Sequence, residues 1–82
     1  MTEIKAVAFY VQDKKKRKLD VNLKFEETLD KFQILQEIYN VLAERGVADS
    51  DYQVTIQKRN EENFSPWFSF AFEQETGNFE ID

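Results

Sequence analysis

Apolar and polar residues alternate along three stretches of this chain, a pattern typical of β-strands with one buried side. The clearest stretch is 19–25 (LDVNLKF), and 52–59 and 67–73 follow the same period. The segment 3–11 is rich in β-branched and aromatic residues and predicts a further strand. Phe79 and Ile81 predict a short last strand after a turn at 75–78. The strands are therefore expected to form an opening and a closing hairpin.

Between these hairpins the apolar residues recur with helical spacing. Residues 29–45 predict one helix, with Leu35, Ile38 and Leu42 at the centre of its apolar stripe. Four other apolar residues widen that stripe: Phe32, Ile34, Tyr39 and Val41. Thr28 is the predicted N-cap, and Gly46 supplies the left-handed residue of a C-terminal Schellman motif.

The order hairpin, helix, hairpin predicts a single α+β domain over residues 1–82. Its expected architecture is ββαββ, or ββαβββ with the last strand, in an antiparallel or mixed sheet with one helix packed on one face. The polar residues 12–18 predict a long, charged loop in the first hairpin, and 60–66 predict the connection in the second.

Composition predicts a folded protein and indicates its cellular location. The chain is 41% hydrophobic with eight Phe, and it contains no Cys, so neither a disulfide nor a thiolate is available. No apolar run approaches the ~20 residues of a membrane span, and residues 1–11 lack the apolar core of a secretory signal. These features predict a cytoplasmic protein that is not an integral membrane protein.

The residues used most often in catalysis are missing. There is no His, and the only glycines are Gly46 and Gly77, so no glycine-rich phosphate loop can form. Asp49-Ser50-Asp51 resembles the start of a calcium loop, but Val54 and Asn60 occupy the positions that need Gly and Glu. The sequence therefore predicts no enzyme activity, no cofactor and no metal site.

Two predicted strands are apolar on both sides, whereas one helix can cover only one side of the sheet. On strand 3–11, Val7, Phe9 and Val11 lie on one side and Ala6, Ala8 and Tyr10 on the other. We expect the uncovered side to bind a protein partner or a second copy of the chain. The candidate interface combines small residues with two aromatic anchors: Ala6, Ala8, Tyr10, Trp67, Ser69 and Ala71. On this hypothesis Trp67→Ala weakens association without unfolding the domain.

Charge distribution suggests two alternative functions. Five of the eleven basic residues are consecutive, which predicts a nucleic-acid or phosphate-binding module: Lys14, Lys15, Lys16, Arg17 and Lys18. The net charge of −5 opposes nucleic-acid binding. The acidic residues interleaved with aromatics in 60–82 suggest instead a small acidic inhibitor from a mobile element, occupying a basic groove on a host protein. A non-catalytic interaction or regulatory module is the preferred prediction.

Overall fold

The computed structural model describes all 82 residues and contains one five-stranded sheet and one helix. The elements are β1 (Thr2–Gln12), β2 (Lys15–Phe25), α1 (Lys31–Glu44), β3 (Tyr52–Asn60), β4 (Asn63–Glu73) and β5 (Asn78–Ile81). The strand order is β2-β1-β3-β4-β5, and every neighbouring pair is antiparallel. The predicted α+β fold with ββαβββ order is confirmed.

The first hairpin has a much shorter turn than the sequence suggested. β1 and β2 pair without interruption from Thr2↔Phe25 to Gln12↔Lys15, which leaves only Asp13 and Lys14 as the loop. Both loop residues have positive φ, 54° and 63°. A two-residue turn of this kind matches the right-handed twist of the strands, and Asp tolerates it better than Lys does. The predicted seven-residue loop is therefore wrong, because most of its basic residues belong to β2.

Helix α1 is capped by residues in the loop and in its first turn. Asp30, not the predicted Thr28, is the N-cap: its carboxylate accepts from the Gln33 amide, while the Gln33 side chain accepts from the Asp30 amide, both at 2.9 Å. This reciprocal capping box satisfies two amides that the helix leaves without partners. At the other end, the Val47 amide donates to the Leu42 carbonyl and Gly46 has φ 74°, as the predicted Schellman motif requires.

The core lies between α1 and one side of the sheet. Ile34, Ile38 and Leu42 point inward from the helix and are fully buried, whereas Phe32, which was predicted to widen the apolar stripe, is 71% exposed. The strands contribute the remaining core residues: Ile4, Ala6, Ala8, Val21, Tyr52, Val54, Ile56, Phe68 and Phe70, with Val47 beside them. We call this the covered side of the sheet and the opposite side the open face.

Thr2 is the one buried polar residue, and it fastens the start of β1 to the loop before the helix. Its hydroxyl donates to the Glu27 carbonyl at 2.8 Å and accepts from the Leu29 amide at 2.9 Å. Because the side chain satisfies two backbone groups at once, it fixes where the chain leaves the sheet and turns towards α1.

Lys14→Gly is expected to stabilise the domain by up to about 1 kcal/mol, since glycine adopts positive φ without the steric cost that lysine bears. Urea unfolding measures this change. Lys15→Gly is the matched control: it removes the same side chain from a strand position and should destabilise. A loss of stability in both variants would contradict the strain assigned to Lys14.

Thr2→Val should lower the free energy of unfolding by about 1–3 kcal/mol, because it leaves the Leu29 amide without its acceptor in a partly buried site. Thr55→Val is the control, since Thr55 is exposed on the open face and its side chain makes no hydrogen bond. Urea denaturation of both variants tests the difference. Equal effects would show that the two bonds of Thr2 do not matter.

Candidate interaction surface

The six residues predicted to form the interface do not share one side of the sheet. Ala6 and Ala8 are 2% and 0% exposed beneath the helix, and Tyr10 packs against the same core. The prediction that they belong to the free surface is wrong. Small side chains on a central strand leave room for the bulky residues that α1 contributes to the same core.

Trp67 also lies on the covered side, because β4 contains a β-bulge. Ile56 pairs with Phe68 but Gln57 pairs with Pro66, so Trp67 is an extra residue in the strand. Its ring meets the ring of Phe68 edge-on with centroids 5.0 Å apart, which neighbours on a regular strand cannot do. Trp67 is therefore not the exposed anchor that the sequence predicted.

The same contact reaches a basic side chain on β3. Lys58 Nζ lies 4.7 Å from the Trp67 ring centroid, and Lys58 pairs with the buried Ile4, which places it on the covered side as well. Trp67 thus packs at one edge of the core, and the Lys58 ammonium group lies over its ring.

The last two predicted residues, Ser69 and Ala71, do lie on the open face and are half-buried. Their cross-strand partners are Thr55 and Gln53 on β3, which share that side. Ala71 also pairs with Glu80 on β5. Of the six candidates only these two lie on the open face, whereas Tyr10 and Trp67 are half-buried against the core.

The most apolar part of the open face is a strip on β1, formed by Val7, Phe9 and Val11. We call it the apolar strip. Val7 is half-buried, whereas Phe9 is 49% and Val11 46% exposed. The sequence showed that β1 is apolar on both sides, but it assigned the wrong side to the helix. Phe9 and Val11 are the functional candidates that this choice missed.

Charged residues stand at both ends of the rows that cross the apolar strip. The strand registers place one row across the open face, with all five side chains on the same side: Lys18, Phe9, Gln53, Ala71 and Glu80. A basic residue stands at the β2 end of this row and an acidic residue at the β5 end. The neighbouring row, through Val7, has Asp20 at the β2 end and Asp82 beyond Ser69 at the other.

The open face contains a trough of about 810 Å³ with a mixed polar and apolar lining that includes Val7 of the apolar strip. Its lining includes Lys5, Asp20, Asn22, Gln57 and Asp82. The Ser69 hydroxyl lies 3.5 Å from a carboxylate oxygen of Asp82 and donates towards it. The trough offers hydrogen-bonding groups of both kinds, and room for water, next to an apolar strip.

Phe64, at the far end of the open face, differs from Phe9 because it is covered within the chain. Lys5 Nζ lies 4.4 Å from the Phe64 ring centroid, and Phe64 is half-buried. A cation over the ring face offsets part of the cost of leaving an aromatic at the surface. Of the aromatic rings on the open face, Phe9 is the more exposed and has no such cation.

The basic run does not form a single cluster. All five residues are exposed, but Lys14 is in the turn and the other four alternate along β2. Lys16 and Lys18 therefore share the open face, while Lys15 and Arg17 point to the covered side. The only ion pair in the molecule, Arg59 with Glu3 at 2.9 Å, involves none of them.

The acidic residues of the C-terminal half are also dispersed. Glu61 and Glu62 occupy the turn before β4, whereas Glu75 follows that 11-residue strand. A strand of this length spans about 35 Å, so the two groups lie at opposite ends of the sheet. The Asp51 carboxylate accepts from the Gln74 amide at 2.8 Å, and no group of three or more His, Cys, Asp or Glu side chains is placed to hold a metal ion.

One titratable side chain has a clearly shifted pKa, and it belongs to the core. Burial raises the pKa of Tyr52 above its ordinary value, with a further rise from the nearby Tyr39. Tyr52 stacks on Phe72 with ring centroids 5.6 Å apart. The shift follows from packing on the covered side and does not mark a reactive group on the open face.

Comparisons with protein-family models, curated proteins and solved structures found no match for this chain. The single 14-residue helix lacks the length and apolarity needed to cross a membrane.

Trp67→Ala is expected to destabilise the domain by about 1–3 kcal/mol, because the ring packs on Phe68 at the margin of the core. Chemical denaturation measures the change, and Trp67→Phe, which keeps an aromatic ring, should lose less. Unaltered stability combined with lost self-association would instead place Trp67 in the interface, as the sequence suggested.

Proposed function

We propose that this protein is a non-catalytic interaction module that binds a protein partner through the open face of its sheet. The observation that carries the proposal is the exposure of Phe9 and Val11 on β1. β1 is an interior strand, hydrogen-bonded to β2 on one side and β3 on the other. Apolar side chains in the middle of a sheet normally face a covering layer, and here that layer is missing.

The size of the open face suits a protein partner. The five strands hold 11, 11, 9, 11 and 4 residues. At ordinary strand spacing and rise they form a surface of roughly 700 Å², close to the ~800 Å² that each partner contributes to a standard interface. The apolar strip lies one strand from the middle of the sheet, and charged side chains stand at the two outer strands.

The charges define the partner's chemistry. A complementary surface would be apolar opposite Phe9, acidic opposite Lys16 and Lys18, and basic opposite Glu80. Such complementarity selects the orientation of a partner more than it adds affinity.

The other exposed apolar residues are weaker evidence for a binding surface. The ring centroids of Phe79 on β5 and the core residue Phe70 are 5.7 Å apart. Ile81 is the cross-strand partner of Phe70. They extend the margin of the core on the covered side. Phe32 lies on the outer side of the helix, where the half-exposed Tyr39 follows it seven residues further on, and exposed aromatics of this kind are common on protein surfaces.

The two alternative functions have weaker support. A phosphate-binding module needs its cations to converge, but Lys15 and Arg17 point away from Lys16 and Lys18. An acidic inhibitor needs its carboxylates on one surface, but Glu61 and Glu75 lie at opposite ends of β4. Lys16 and Lys18 contribute instead to the rim of the proposed interface.

Phe9→Ser is expected to weaken binding of the partner by roughly 10- to 100-fold, because it removes the largest apolar contact of the open face. Phe32→Ser is the matched control: it removes the same side chain from the outer surface of the helix. Both variants should unfold at nearly the wild-type temperature. Affinity capture with quantitative mass spectrometry, together with light scattering for self-association, compares the three proteins.

A specific loss of bound protein or of self-association in Phe9→Ser supports the open face as the binding surface. Equal loss in both variants, or no loss in either, would show that the apolar strip is not a docking surface.

A further inference from the structure

We infer that the partner of the open face is a second copy of this chain, packed face to face about a two-fold axis that runs parallel to the strands. This inference rests on the proposed function and adds the identity and orientation of the partner. It follows from the way in which charge and side-chain size are distributed across the sheet.

The first step concerns the row through Phe9. Lys18 stands at its β2 end and Glu80 at its β5 end, with three residues between them. Four strand spacings separate the two charges by about 19 Å, so they cannot pair within one molecule. Each is exposed and neither takes part in an ion pair. This row thus carries opposite charges at its two ends.

The second step is the symmetry that such a surface requires. A two-fold axis parallel to the strands and passing above β3 places β2 of one copy over β5 of the other. Lys18 then faces Glu80 of the second copy, and the same contact occurs a second time because the interface is isologous. An axis across the strands at the middle of β2 would instead place β2 over β2, with Lys16 against Lys24 and Asp20 against Asp20 of the other copy. In the row through Phe9, charge therefore favours the parallel axis.

Side-chain size agrees with this choice. Within the row, β1 and β4 are equally far from β3, so the axis places Phe9 opposite Ala71 of the second copy. The largest side chain of the face meets one of the smallest, and Gln53 meets its own copy on the axis. Alternation of large and small side chains is what lets two sheet faces interdigitate.

One feature of the neighbouring row limits the strength of the pair. The same axis places Asp20 opposite Asp82 of the second copy, and both line the trough of about 810 Å³. The trough has room for water, which keeps these carboxylates hydrated and lowers their repulsion. Two faces of roughly 700 Å² bury an area in the standard range of ~1,200–2,000 Å². The expected product is a reversible dimer with a partly wet interface.

A charge-swap series tests the inference by sedimentation velocity on the full chain. Lys18→Glu and Glu80→Lys each replace two attractive contacts with two repulsive ones, so each should weaken the dimer by about tenfold or more. The double variant Lys18→Glu/Glu80→Lys should recover an affinity within about threefold of wild type. Recovery is diagnostic because the two residues are too far apart to interact within one molecule.

Lys24→Glu is the charge-matched control, since Lys24 lies outside the row and should change dimerisation much less. Circular dichroism confirms that each variant folds. A monomeric wild type at about 1 mM, or a double variant as weak as the single ones, would overturn the inference. In either case, loss of a different captured protein in Phe9→Ser would still support the proposed function, so the two failures are distinguishable.

Discussion

The structure depends on one packing constraint: a helix of 14 residues covers only one side of a five-stranded sheet. The helix is about 21 Å long, and three of its residues supply its whole fully buried surface. β1 decides which side it covers, because this strand lies beneath the helix and is apolar on both sides. Ala6 and Ala8 share the core with the buried helix residues, so Phe9 and Val11 remain on the other side.

The local signals in the sequence were sufficient for the secondary structure. Alternation at 19–25 and 52–59 marks strands whose outer side chains are polar, and only one orientation buries the apolar ones. Gly46 and Val47 predicted the end of the helix, because the Schellman motif is a property of a few consecutive residues. Its N-cap was misplaced by two residues, since both Thr28 and Asp30 are good caps and the capping box with Gln33 decides between them.

The candidate site was harder to predict because it depends on contacts between distant parts of the chain. No local pattern indicates which side of strand 3–11 meets the helix. The sequence predicted that Ala6 and Ala8 lie on a flat exposed surface, whereas both are buried in the core that they share with α1. Trp67 was misplaced for a different reason. Strict alternation puts it opposite Phe68, but the bulge at Pro66 and Trp67 turns both rings to the same side. Pro66 was the available signal, because proline in a strand often marks a bulge.

The edges of the sheet explain why a face, rather than an edge, is the surface left for association. β2 has a free edge over its whole length, but its first four residues are all basic, and such side chains prevent another strand from pairing there. β5 at the other edge is only four residues long, which offers few hydrogen bonds to a partner. Joining β2 to β5 of a second copy would satisfy the charges, but it leaves the same two edges free and so continues into a filament. Contact through the open face brings the same charges together and closes with two copies, because each face is then fully used.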